Sequence, residues 1–95
     1  MAATWIRLTA TQGVTRGPCQ VGAVIVVPGG QSKNGDATLY DGESTDDPRV
    51  LKVYSGTGVT NEVIFPVPLV CHRGLYVVLG GSADECVLQY EPLKP

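Results

Sequence analysis

The sequence predicts an all-β fold: a single small antiparallel β-sandwich, jelly-roll or immunoglobulin-like, of about seven short strands. Three observations predict it. β-Branched residues dominate the apolar set, and no apolar i, i+3, i+4, i+7 pattern is sustained anywhere. The 12 glycines and 7 prolines of this 95-residue chain cut it into short runs. Those runs recur at roughly 10–14-residue spacing, which is the rhythm of a sandwich or small barrel.

The first run is Thr4 to Ala10, with Ile6, Leu8 and Ala10 on one face and Trp5, Arg7 and Thr9 on the other. Gln12-Gly13 and Arg16-Gly17-Pro18 break it. The second, Cys19 to Val27, is apolar on both faces toward its end, as in a strand covered on both sides. Pro28-Gly29-Gly30 ends it, and Lys33-Asn34-Gly35-Asp36 is a turn, since Asn-Gly readily takes positive φ. Ala37 to Tyr40 is a short third strand running into Asp41-Gly42, and Glu43 to Pro48 is a polar loop. Arg49 to Tyr54 is the fourth and Ser55-Gly56-Thr57-Gly58 its turn. Glu62 to Cys71 is extended but contains Pro66 and Pro68, which lack amide donors and place it at a sheet edge or in a bridging segment. Leu75 to Leu79 and Cys86 to Tyr90 complete the set. Residues 91–95, beyond the last run, read as a C-terminal arm of the same domain.

Composition narrows the function classes. Hydrophobic residues at 43% suffice for a core, whereas charged residues at 17% are few for a fully solvated surface, as when partners cover part of it. Net charge is -2 and the basic residues are scattered, which argues against nucleic acid as the main ligand. No run reaches the ~18 apolar residues of a membrane-spanning helix. Met1-Ala2-Ala3-Thr4 does not have the charged and apolar regions of a signal peptide. With an odd number of cysteines (Cys19, Cys71, Cys86), the chain reads as made in a reducing cytoplasm, its thiols small buried hydrophobes. Cys71 and Cys86 pair only if their strands are neighbours.

No constellation carries chemistry. His72 is the sole histidine, and Cys71 beside it points to the opposite face of a strand. Close Cys/His pairs for zinc are missing. The Asp41–Asp47 loop holds four carboxylates but departs from the EF-hand order at Thr45, and Lys52 stands where the closing glutamate would be. Pro28-Gly29-Gly30-Gln31-Ser32-Lys33 departs from the phosphate-loop order. No cofactor is expected.

The strand faces give the functional expectation. Ile6, Leu8, Val21, Ala23, Ile25, Leu39, Leu51, Val53, Leu75, Val77, Leu79, Cys86, Leu88 and Tyr90 form a sufficient core set. Trp5, Val24, Val26, Tyr54, Tyr76 and Val78 are left on opposite faces and are the candidate interface. Bulges that turn some of them inward are the competing reading. On the interface reading, Val26→Asp breaks assembly before it unfolds the chain.

The order "ATLYDGES", "LKVYSG", "FPVPLVCHRGLYVVLGG", "CVLQYEP" resembles small virion proteins of tailed bacteriophages, over about Gly22 to Tyr90. The resemblance implies a non-enzymatic structural protein, a capsid decoration or head or tail component. Such a protein self-associates, with a trimer the first expectation, and docks on other virion proteins. It would be made in the host cytoplasm and reside in the virion, contacting neither nucleic acid nor membrane. The alternative is a carbohydrate-binding module or adhesin domain, in which Trp5 and the tyrosines stack on sugar rings.

Overall fold

A computed structural model describes residues 4–93. Eight strands follow one another: β1 (Thr4–Leu8), β2 (Gln12–Thr15), β3 (Cys19–Pro28), β4 (Gly35–Tyr40), β5 (Arg49–Tyr54), β6 (Asn61–Cys71), β7 (Leu75–Gly81) and β8 (Ala83–Pro92). They form two four-stranded sheets, sheet I in the order β1-β8-β3-β6 and sheet II in the order β2-β7-β4-β5, with antiparallel pairing throughout. The pairs β1·β8, β2·β7, β3·β6 and β4·β5 are those of one long hairpin, centred on the β4–β5 turn and rolled so that its strand pairs fall alternately into the two sheets. This is the eight-stranded jelly roll and excludes the immunoglobulin-like order.

The additional strand is β2. Gln12-Gly13 reads as a break because it is polar and lacks alternation, yet β2 pairs with β7 through Gln12↔Val77 and Gly13↔Tyr76. Tertiary pairing, not local propensity, makes this segment a strand. The proline-bearing β6 lies at the edge of sheet I, with β3 its one neighbour, as expected of a strand without two of its amide donors.

The core is built from Leu8, Val21, Leu39, Val53, Leu75, Val77, Cys86, Leu88 and, against expectation, Val24 and Val26. The cause is a bulge in β3. From Val21 to Ala23 the strand advances two residues while β8 advances one, from Tyr90 to Gln89, so Gly22 is the extra residue. One inserted residue inverts every later side chain in a strand. Val24 and Val26 therefore turn inward with no exposure, and Ile25 moves to the outer face, half-buried. Val26→Asp strikes the core: it buries a charge opposite Cys86 and unfolds the chain before any assembly is affected.

β3 and β6 are also out of step. Over the same two residues of β3, β6 runs from Leu69 to Ile64, so Phe65–Pro68 loops out of the ladder. Phe65 still packs on the core, whereas Pro66, Val67 and Pro68 are exposed. The C-terminal segment stays on the sheet: Glu91 pairs with Gln20 and Pro92 with Cys19, and the Leu93 amide donates to the Pro18 carbonyl at 2.8 Å. Residues 91–93 are thus a continuation of the fold and not an arm, while 94–95 lie outside the described residues.

Candidate functional site

Directly opposed residues of an antiparallel ladder share a face. On the outer face of sheet I the register gives two full rows. One is Trp5, Gln89, Ala23, Ile64; the next is Arg7, Val87, Ile25, Glu62, each read from β1 across β8 and β3 to β6. The first row has apolar ends about Gln89 and Ala23, and the second has an apolar centre, Val87 and Ile25, between ends of opposite charge. Trp5 is 53% exposed and Ile64 66%, large values for an indole and a β-branched alkyl group. Arg7 at one end bonds Glu85, and Glu62 at the other is exposed. Farther along the same edge, Val67 and Val70 are exposed as well.

The expected interface residues do not gather into one patch. Trp5 lies on the outer face of sheet I. Tyr54, Tyr76 and Val78 lie on the outer face of sheet II, on the opposite side of the molecule, opposed to Asp36, Tyr40 and Thr38 respectively. Val24 and Val26 are core and are withdrawn from the set. Ile64, Val67, Val70, Arg7 and Glu62 were not singled out in the sequence. Their grouping depends on cross-strand register, and the two irregularities in β3 and β6 hide that register from a single-strand reading.

The face of sheet II is more polar. Lys52 Nζ stands 5.1 Å from the centre of the Tyr54 ring, a cation–π contact that occupies both side chains. Where β2 meets β7, a shallow groove of about 470 Å³ is lined by Gly13, Val14, Thr15, Arg16, Glu43 and Tyr76. Arg16 and Glu43 form an ion pair across it at 3.4 Å.

The acidic loop between β4 and β5 spends its carboxylates on its own backbone. Asp47 Oδ2 accepts the amides of Glu43 at 2.8 Å and Ser44 at 3.2 Å, and Asp41 Oδ1 accepts the amide of Arg73 at 2.8 Å. Partial burial works against the Asp41 charge. The backbone N–H groups of Arg73, His72 and Gly74, with the nearby His72 side chain, outweigh it and hold the carboxyl below its ordinary value. Among the described residues, no three His, Cys, Asp or Glu side chains stand close enough together to hold a metal ion.

Cys71 is buried while His72 beside it is exposed, so the sequence neighbours are separated by the sheet. All three thiols are free and buried. Cys71 does not meet Cys86, because β3 lies between their strands. It stands opposite Cys19 on β3 instead. A hydrogen bond from the Cys71 thiol holds Cys19 below its ordinary value, and that same bond, with burial, pushes Cys71 up. Cys86, opposed to Leu8 and Val26, is pushed up to about 12 by burial alone.

No protein-family model matches this chain, and no curated protein matches it.

Proposed function

We propose that this chain is a non-enzymatic structural protein of a virus particle, a phage capsid decoration or head or tail component, which acts by associating with itself and docking on other virion proteins. The observation that carries the self-association is the symmetry of the outer face of sheet I. An axis parallel to the strands and between β3 and β8 turns each row end for end. It brings Trp5 of one copy onto Ile64 of a second and Arg7 onto Glu62, with Gln89 over Ala23 and Val87 over Ile25. Such a contact is isologous, the commonest kind in homo-oligomers. Tryptophan and arginine are both enriched in protein interfaces. A two-fold pair thus replaces the trimer as the first expectation for the assembly unit. The virion setting rests on the strand-and-turn resemblance and on the chain's scarcity of charge.

The test is native mass in solution at micromolar concentration, for the wild type and for Ile64→Asp and Glu62→Lys. A defined dimer or a multiple of it, reduced to monomer by either substitution with the melting temperature unchanged, supports the reading. A wild type that stays monomeric at all concentrations removes self-association in solution.

One observation favours the carbohydrate-binding reading instead: the groove beside Tyr76, where an aromatic ring and an Arg–Glu pair stand together. On that reading a glycan titration gives saturable binding that Tyr76→Ala abolishes. On the structural reading the titration is flat.

A further inference from the structure

We propose that Cys19 and Cys71 are a latent disulfide site, which closes within one chain when the protein meets a low-molecular-weight disulfide. The inference rests on placement. Cys19 opens β3, Cys71 ends β6, and the two are direct cross-strand partners. Directly opposed residues of an antiparallel pair have Cα atoms about 4.5–5.5 Å apart, inside the roughly 4.4–6.8 Å window of disulfides. Both side chains turn to the same inner face with no exposure, so their thiols have each other as polar company. Cys86 stands between Leu8 and Val26 and lacks such a partner.

The surroundings supply access. This end of β6 is held to β3 by Leu69, Val70 and Cys71 alone, because Phe65–Pro68 leaves the ladder and Pro66 and Pro68 have no amide to give. Exposed His72 follows at once. An edge segment held by three ladder pairs, and just beyond them by the Asp41 carboxylate on the Arg73 amide, opens locally at a fraction of the free energy of global unfolding. On opening, the Cys19 thiolate attacks one sulfur of the small disulfide and expels the first thiolate. The Cys71 thiolate then attacks the Cys19 sulfur of the mixed disulfide and expels the second. The two protein thiols lose two electrons and two protons, and the small disulfide takes them up as two thiols. The product ties this end of the edge strand covalently to β3. The site uses none of the residues of the proposed self-association, so either can fail without the other.

The experiment treats the reduced full-length chain with oxidised glutathione and reads intact mass after alkylation of the remaining thiols. The expected product is lighter by two hydrogens before alkylation, takes up one alkyl group, at Cys86, and yields a Cys19–Cys71 linked peptide. Its melting temperature rises by roughly 10 °C or more, since the bond closes a long loop. Cys86→Ala still closes. Cys71→Ala stops at glutathione on Cys19. The proposal is overturned if three thiols remain alkylatable after oxidation under mildly destabilising urea, or if the bond that forms involves Cys86 or a second chain.

Discussion

The two ends of the sandwich perform the same task with different chemistry. At one end meet the β3–β4, β5–β6 and β7–β8 connections, and backbone groups join them. Gly29 N–H donates to Ser82 O at 2.7 Å, Ser82 N–H to Asn34 O at 2.8 Å, Gly58 N–H to Lys33 O at 2.8 Å and Ser55 N–H to Gly35 O at 2.9 Å. At the other end meet the β2–β3, β4–β5 and β6–β7 connections, joined through charged side chains: Asp41 to the Arg73 amide, Asp47 to Arg73 Nη1 at 3.6 Å, Arg16 to Glu43. The backbone end demands glycine, because the chains approach too closely for Cβ atoms. The carboxylate end has its own close approach, Gly74 against the Thr15 and Gly42 carbonyls, but differs in depending on ionisation. Backbone-to-backbone contacts are insensitive to pH and salt, and contacts made through ionised side chains are not.

Substitutions at the two ends sharpen the contrast. Gly35 abuts the Ala83 backbone, so Gly35→Val forces sheet II away from the start of β8. It is expected to destabilise by about 3 kcal/mol in urea unfolding, with no pH dependence. Gly58 sits at φ +68° against the Gln31 carbonyl, and Gly58→Ala is expected to lose about 2 kcal/mol by the same assay. At the other end, Asp47→Ala frees the Glu43 and Ser44 amides, with an expected loss of about 1 kcal/mol. Asp41 gives the pH signature. Its carboxyl titrates lower in the folded than in the unfolded chain, so the unfolded state binds more protons in between. The stability this confers is full above the unfolded value of about 4 and is lost as pH falls through the folded value. Asp41→Asn should therefore lower the melting temperature at neutral pH and converge on the wild type at the acid end, flattening the acid limb of the profile. Smallest is Arg16→Ala, whose ion pair is almost fully in water and whose loss should register below about 0.5 kcal/mol. A pH-dependent effect at Gly35, or a large effect at Arg16, would break the comparison.

What could be read from the sequence follows the same division between local and non-local causes. The sandwich, the edge position of the Glu62–Cys71 run and the inward Leu39, Val77 and Leu88 were legible because alternation, turn residues and proline chemistry are local signals. β2 was not, since four weakly patterned residues become a strand only through β7. Simple alternation through Gly22 puts Val24 and Val26 outside, and a bulge there leaves no mark beyond the glycine itself. The outer rows of sheet I join residues from β1 and β6, nearly sixty positions apart. Trp5 alone among their exposed members attracts notice as a residue type. Tyr54 and Tyr76 share its chemistry, but the two-sheet topology puts them on the far side.

The nested order of the strand pairs also governs when the fold becomes available. β4 and β5 are the one pair joined by a short connection, Asp41–Pro48, whereas β3 waits for β6, β2 for β7 and β1 for β8. On an emerging polypeptide the first three strands remain unpaired until most of the chain has been made, and sheet I closes last, when β8 slots between β1 and β3. Assembly from the central hairpin outward makes this a slow folder for its size, in milliseconds to seconds. During that interval the apolar β3 is the segment most in need of shelter.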